Sequence, residues 1–334
     1  MKISVDAGAL CSPHKFGTYV VAHNILDALG QFDKENSYTG YIYKRSSQLP
    51  TAANLKYKVL HPKFGWMSLR VSAEELLHPK DIYLGLSQAI PWVTRAKVIS
   101  FLHGLSFFYH KDLYTDSYEA LKDQVMFATT RSQKIIVSSA KVRAELEEQF
   151  GYKDAVVLPF GIPSDMVEQS ALKKTQRPYF LFVGMSHQIK NVQFLVQAFT
   201  IFKEQQSHRD FELILVGDHG QFADEKLSIR SVKVDRAELR DLYSNATGYL
   251  SSSLYESFNL PVLEALSQNC RVIGKSSAII PELREFVTVA DMVEDFVDGM
   301  KSLVSAKKSI NNEKISEKFS WEKYVNKLTS FYSS

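Results

Sequence analysis

The feature of this 334-residue chain that most restricts its fold is an alternation, repeated almost from end to end, of short apolar runs with longer stretches at helical spacing. Strands this short and this apolar need cover on both faces, and the intervening helical stretches supply it, which is the pattern of βαβ units around parallel sheets. The class expected is α/β. In the first half the runs are Ile3 to Val5, Tyr38 to Tyr43, Tyr57 to Leu60, Ile82 to Leu84, Val98 to His103, Lys134 to Ser138 and Ala155 to Leu158. Helical spacing is clearest from Tyr19 to Leu29 and from Lys141 to Phe150, with Gly30 and Gly151 as expected stops. The polar run Ser164 to Pro178, containing Lys173, Lys174, Thr175, Gln176 and Arg177, reads as a linker. The pattern then restarts, with strands expected at Tyr179 to Val183, Phe211 to Val216, Gly248 to Ser251 and Arg271 to Gly274, and a helix at Val192 to Glu204. Ser320 is placed to cap a last helix.

At roughly 150 residues per domain the chain has room for two packed domains. Forty Lys and Arg against 37 Asp and Glu give a net charge of +3, with no stripe of cations interleaved with aromatics, so nucleic acid is not an expected partner. Cys11 and Cys270, the two cysteines, offer neither a disulfide framework nor a thiolate metal site and fit a reducing compartment. Asp6 interrupts any leader-like apolar run, and no uncharged run approaches the ~18 to 20 residues that span a bilayer. The expected address is cytoplasmic, with any membrane contact peripheral.

Four segments carry chemistry. In Glu256-Ser257-Phe258-Asn259-Leu260-Pro261-Val262-Leu263-Glu264, Pro261 suits the first turn of a helix, where its missing N–H would have no partner. The loop before it brings the backbone N–H groups of Phe258, Asn259 and Leu260 to that helix N-terminus, a place that favours anions and hydroxyl-rich groups. Glu264 falls about one turn into the helix and Glu256 just before the loop; both can flank one ligand, and both can equally be ordinary surface charges. In Phe182-Val183-Gly184-Met185-Ser186-His187-Gln188-Ile189-Lys190-Asn191, Gly184 lets the backbone approach a ligand and Lys190 adds a cation, which suits a diphosphate or, more plainly, a solvated helix start. His103 ends an apolar run before Gly104, at the strand end where open parallel sheets bind ligands, although a lone histidine is more often structural. Gly17, ahead of the first helix, fits close approach of an acceptor or diphosphate, or a plain turn. No nucleophile triad, zinc signature or Walker loop is present, so a site free of metal and cofactor is expected.

Together these segments resemble glycosyltransferase family four, the retaining, GT-B-fold group 1 glycosyltransferases of polysaccharide biosynthesis. Glu256 to Leu266 is similar to their paired-glutamate signature, Leu239 to Ala246 to the helix leading into it, Ile280-Pro281-Glu282 to the segment after it, and Phe319 to Tyr324 to a closing helix that returns to the first domain. The resemblance runs from Asp6 to the C-terminus and is strongest between Tyr179 and Glu282. It implies two Rossmann-like domains facing a central cleft: residues 1–165 with the C-terminal helix 316–334 for the acceptor, and 166–315 for the nucleotide-sugar donor. It implies that Glu264 binds the donor ribose, that Glu256 contacts the donor sugar, that Gly184 and Lys190 hold the diphosphate, and that His103 orients the sugar near the bond being broken. Where relatives commonly have an arginine after the glycine, this chain has Met185, with His187 the candidate to compensate; Lys15 and Thr18 stand where relatives often have a second glycine and an arginine. The implied activity is transfer of a hexose-type sugar from a UDP, GDP, ADP or dTDP sugar to a hydroxyl of a glycan or lipid-linked glycan, with retention, in bacterial surface polysaccharide or glycolipid assembly. The alternatives are a GT-B sugar-nucleotide epimerase, which needs no acceptor, and a catalytically weak partner subunit, the latter motivated by Met185, Lys15 and Thr18.

Overall fold

The apolar runs form two parallel sheets, one in each of two units: Met1–Gly161 with Ser320–Ser334, and Ile162–Phe319. This computed structural model describes residues 1–12, 17–46, 48–168, 177–305 and 312–333; Lys15 and the middle of the expected linker, residues 169–176, lie outside the described residues.

In the first unit the strands are β1 (Lys2–Asp6), β2 (Ser37–Ile42), β3 (Leu55–Val59), β4 (Ile82–Gly85), β5 (Lys97–Leu102), β6 (Lys134–Val137) and β7 (Val156–Val157), in the order β3-β2-β1-β4-β5-β6-β7. Ile3 pairs with Tyr38 on one side and Ile82 on the other, which places β1 in the interior of the sheet, and Ile3 and Val5 are fully buried. The helix Thr18–Phe32 packs Val21, Ala22, Ile25, Leu26 and Leu29 inward. It runs through Gly30, which was expected to stop it. Gly30 is a contact glycine, because a Cβ there would collide with Ala52, and the helix ends instead at Asp33, whose carboxylate takes the amides of Glu35 and Asn36. Gly151 does close its helix, Ala140–Phe150, in the left-handed conformation (φ 68°). The helix Tyr118–Arg131 was not legible in advance because only Val125 and Ala128 of it are buried.

The segment 316–334 is not one helix. Asn312–Lys318 is a helix of the second unit, buried Phe319 follows, and Ser320 caps a new helix, Trp321–Thr329, by accepting the Lys323 amide. Trp321 stacks on Phe160, with ring centroids 6.3 Å apart, and covers Gly161 so closely that a side chain there would meet the indole. The units therefore divide at Gly161/Ile162 and Phe319/Ser320, a few residues from the boundaries expected at 165 and 316. The start of the expected linker is also structured. Ser164–Met166 forms a helical turn, and the Met166 carbonyl accepts from Ser267 Oγ and Gln268 Nε2, which binds it into the second unit.

The second sheet has the order β10-β9-β8-β11-β12-β13, all parallel: β8 (Tyr179–Val183), β9 (Glu212–Val216), β10 (Ile229–Val232), β11 (Gly248–Ser251), β12 (Val272–Gly274) and β13 (Thr288–Val289). Every residue of β8 is buried, over a core that includes Phe180, Phe199, Phe202 and Leu213. β10 and β13, which periodicity did not reveal, are the two edge strands; they are short and face solvent in part, so neither reads as an apolar run. In both sheets the chain reverses its direction of winding beside the first strand, between β1 and β4 and between β8 and β11. The carboxyl ends of strands at such switch points are where open α/β sheets receive ligands.

Candidate functional site

At the switch point of the second sheet the loops after β8 and β11 are tied together. Ser252 Oγ donates to the Lys190 carbonyl at 2.8 Å, and the Leu254 amide donates to the Ile189 carbonyl at 2.8 Å. This brings Lys190 Nζ within 2.6 Å of Glu256 Oε1, which also accepts from Ser253 Oγ at 2.7 Å. Both side chains keep a small exposed surface, 18% for Lys190 and 14% for Glu256, so the pair is largely desolvated yet reachable. Gly184 precedes this loop on the same strand end; a Cβ there would press on the Phe182 ring and approach the stem of Lys190. Met185 is 53% exposed. His187 caps the turn Gln188–Lys190, its Nδ1 accepting the Ile189 amide at 3.2 Å.

The paired-glutamate segment folds as expected in outline. The helix is Leu260–Ser267, with Pro261 in its first turn. Its cap is Asn259, held in the left-handed conformation (φ 69°) by donating through Nδ2 to Ser251 Oγ and to the Ala278 carbonyl, each at 2.9 Å. Phe258 is buried and meets Phe319 edge-on. The side chains of Phe258 and Asn259 thus set the loop's shape, leaving backbone groups, including those of Leu260, as what the loop offers.

Glu264 is only 3% exposed and belongs to a network that sequence reasoning missed. Oε1 is paired with Arg236 Nη1 at 2.8 Å and Oε2 accepts from Tyr243 OH at 3.0 Å. Arg236 turns its other edge to Asp165, at 2.6 and 2.8 Å. Burial alone would lower the Arg236 pKa, but Glu264 and Asp165 outweigh it and hold the guanidinium above its ordinary range. The signal was present in the sequence: Asp235 and Glu238 form a capping box that starts the helix Arg236–Asn245, three residues before the segment that carried the resemblance.

His219 was also missed, although it follows Gly217-Asp218 at the end of the apolar run Phe211 to Val216. It is fully buried, and Nε2 donates to the Gly184 carbonyl at 2.9 Å. Ser186, His187, Asn191, Gln193 and Gln221 line a cavity of about 330 Å³ with it.

The remaining expected residues belong to the first unit and are described within it. His103 directly follows β5; its Nε2 donates to the Leu86 carbonyl, and burial holds its pKa below the ordinary imidazole value. Gly17 caps the first helix at φ 49°, a conformation that favours glycine, and among the described residues beyond its chain neighbours no atom lies within 4 Å of where a Cβ would stand.

Residues 177–306 match the family model of the glycosyl transferases group 1. O-antigen chain mannosyltransferase B of Escherichia coli is 26% identical over 250 residues, a match spanning 68% of this chain and 64% of that protein's length. Among solved structures, sucrose-phosphate synthase of Thermosynechococcus elongatus superposes with a TM-score of 0.79 at 15% identity, covering 99% of this chain and 98% of its own. WaaG, a glycosyltransferase involved in lipopolysaccharide biosynthesis, does so at 0.72 and 14% identity, covering 99% and 95%. A trehalose-6-phosphate structure from E. coli, bound with UDP-2-fluoro glucose, does so at 0.69 and 10%, covering 99% and 99%. With the strand order and the paired-glutamate helix, these matches identify residues 177–306 as a domain of the group 1 glycosyl transferases, in a chain with the two-unit α/β fold of GT-B proteins.

Proposed function

We propose that the chain transfers a hexose-type sugar from a nucleoside-diphosphate sugar to a hydroxyl of a glycan or lipid-linked glycan, with retention at the anomeric carbon. The observation that carries this reading is the Lys190–Glu256 pair at the switch point beside Gly184: a cation for the diphosphate and a carboxylate for sugar hydroxyls, 2.6 Å apart on two loops of one unit. In the second unit Lys190 meets the phosphates, Glu256 accepts hydrogen bonds from the donor sugar, and Glu264 from the ribose. In the first unit His103 orients the sugar and Gly17 admits the acceptor or diphosphate.

As the glycosidic phosphate bond breaks, charge builds on the departing oxygen. Lys190 and the backbone N–H groups of its loop are fixed beforehand, which is where electrostatic preorganisation lowers a barrier most. The acceptor hydroxyl attacks from the face that the phosphate leaves, and a phosphate oxygen takes its proton. No metal or cofactor enters this scheme. That an E. coli relative is a mannosyltransferase of the O-antigen chain supports a role in surface polysaccharide assembly and makes mannose a leading sugar to test.

We also place peripheral membrane contact on the first unit. Among the described residues no helix is long and apolar enough to cross a membrane. Leu69 and Leu76 are exposed on either side of Ser72, whose Oγ accepts the Val93 amide, so exposed Trp92 and Val93 lie beside them. Exposed Lys63 and Arg95 lie within a few residues of these positions in sequence, whereas Glu74 and Glu75 are buried, a combination of exposed apolar and cationic residues suited to an anionic leaflet.

One experiment addresses the reading. The protein is incubated with GDP-mannose, and in parallel with UDP, ADP and dTDP sugars, on anionic vesicles bearing a lipid-linked glycan. Expected are co-sedimentation with the vesicles and a product whose anomeric NMR coupling matches that of the donor. An inverted anomer would refute retention. Conversion of the sugar nucleotide without acceptor would establish the epimerase instead.

A further inference from the structure

The loop that faces the phosphates in this reading lacks a cation directly after its glycine, since Met185 is apolar and half exposed. What holds that position is the carbonyl of Gly184. It accepts from His219 Nε2 at 2.9 Å, while the Gly184 amide donates to the Val216 carbonyl at 3.1 Å, so both polar groups of the residue are fixed. Gly217 (φ 138°) packs against the same carbonyl, and any side chain there would run into it. The imidazole is in turn held by Phe182, edge-to-face with centroids 5.4 Å apart, and by its own amide, which donates to Ser231 Oγ at 3.0 Å. Ser231 Oγ donates on to the Gly217 carbonyl at 3.2 Å. Three strand ends, β8, β9 and β10, thus converge on one peptide group.

A carbonyl can only accept, so Nε2 carries the proton. Nδ1 has no partner among the described residues, and burial depresses the pKa of the ring, which fits a neutral imidazole in the Nε2–H tautomer. In a trans peptide the carbonyl oxygen and the next N–H point to opposite sides. Holding the Gly184 carbonyl on the imidazole therefore turns the Met185 N–H away from it, and that N–H has no partner among the described residues.

We propose that His219 is a positioning residue for the donor: by fixing the Gly184 carbonyl it presents the backbone N–H of Met185 to the diphosphate, in place of a charged side chain at position 185. This rests on the nucleotide-sugar reading above. A fixed N–H donor needs no reorganisation when charge arrives, which is how a neutral group substitutes in part for a mobile cation.

The test compares His219→Leu, which removes the donor, with His219→Gln, whose amide nitrogen can reach the same carbonyl. UDP, GDP, ADP and dTDP, and the matching monophosphates, are titrated into wild type and variants while the Met185 amide is followed by NMR. Wild type should shift the Met185 amide proton downfield on binding its nucleoside diphosphate. His219→Leu should bind that diphosphate about tenfold more weakly, with a smaller loss for the monophosphate, and should not show the shift; His219→Gln should recover most of both. Folded His219→Leu with wild-type affinity, or a Met185 amide that does not respond in wild type while the nucleotide binds, overturns the proposal. Should His219→Leu not fold, the His219→Gln titration and the wild-type amide response decide it. Wild type that binds none of the four diphosphates overturns the nucleotide-sugar reading itself, which is a different result from a variant that matches a binding wild type.

Discussion

Lys190→Met is expected to lower kcat/KM for the nucleotide sugar by about a hundredfold to a thousandfold, the range found when one preorganised donor to a developing oxyanion is removed. The effect has two parts. The cation that would meet the leaving diphosphate is gone, and the Glu256 carboxylate, 2.6 Å from Nζ in the intact protein, is left uncompensated beside an incoming anion. Methionine keeps an unbranched stem as far as Cε and lacks only the ammonium, and Ser252 and Leu254 bind the Lys190 and Ile189 carbonyls rather than the ammonium, so the loop should hold its course. Steady-state kinetics with the best donor, alongside circular dichroism, checks this; kcat/KM within threefold of wild type would remove Lys190 from the chemistry.

Glu264→Ala should fail differently, in stability as well as binding. Glu264 is 3% exposed and anchors Arg236 and Tyr243, so its loss leaves a largely buried guanidinium with Asp165 as its remaining carboxylate partner and a buried phenol without its acceptor. Breaking such a network costs about 3 kcal/mol, or roughly 6 to 12 °C in Tm for a unit of this size. A surface carboxylate could be replaced by alanine at little cost to the fold; one that is 3% exposed and doubly bonded could not. Glu264→Gln separates the two effects. Each carboxylate oxygen has one lone pair engaged, by Arg236 or by Tyr243, and one remaining for a ribose hydroxyl. Glutamine keeps an oxygen for one protein partner but loses the charge and one acceptor, so most of the stability should return while nucleotide affinity stays about tenfold lower. Equal losses in the two variants, measured by thermal unfolding and titration, would mean that Glu264 is structural only.

Much of this was legible in the sequence because parallel strands covered on both faces leave an unambiguous mark. β8 and β11 were read to the residue, and Gly151 stopped its helix as a left-handed residue should. Gly30 misled because a glycine that admits a close neighbour and one that ends a helix look alike in sequence; only Ala52, brought near by the fold, distinguishes them. β10 and β13 were invisible because neither carries an apolar run: β10 is Ile-Arg-Ser-Val, with a charge and a hydroxyl at its middle, and β13 is the two residues Thr288 and Val289. At the site, Glu256, Glu264, Gly184 and Lys190 stood out as charges and glycines at set spacing. Arg236 and His219 did not, since their importance comes from contacts 28 and 35 positions away along the chain, to Glu264 and Gly184. Periodicity reveals which face a residue lies on, but not which distant partner that face meets.

The central claim is that the second unit binds a nucleoside-diphosphate sugar at the β8–β11 switch point. Thermal unfolding of the full chain with UDP, GDP, ADP and dTDP sugars in turn tests it most directly, because a ligand that binds only the folded state raises its stability, by about 2.7 kcal/mol at a hundred times its Kd. One base class should raise Tm by roughly 5 to 10 °C at that saturation, with the increase largely lost in Lys190→Met. No increase with any of the four at millimolar concentration, in protein that unfolds cooperatively, would contradict the assignment.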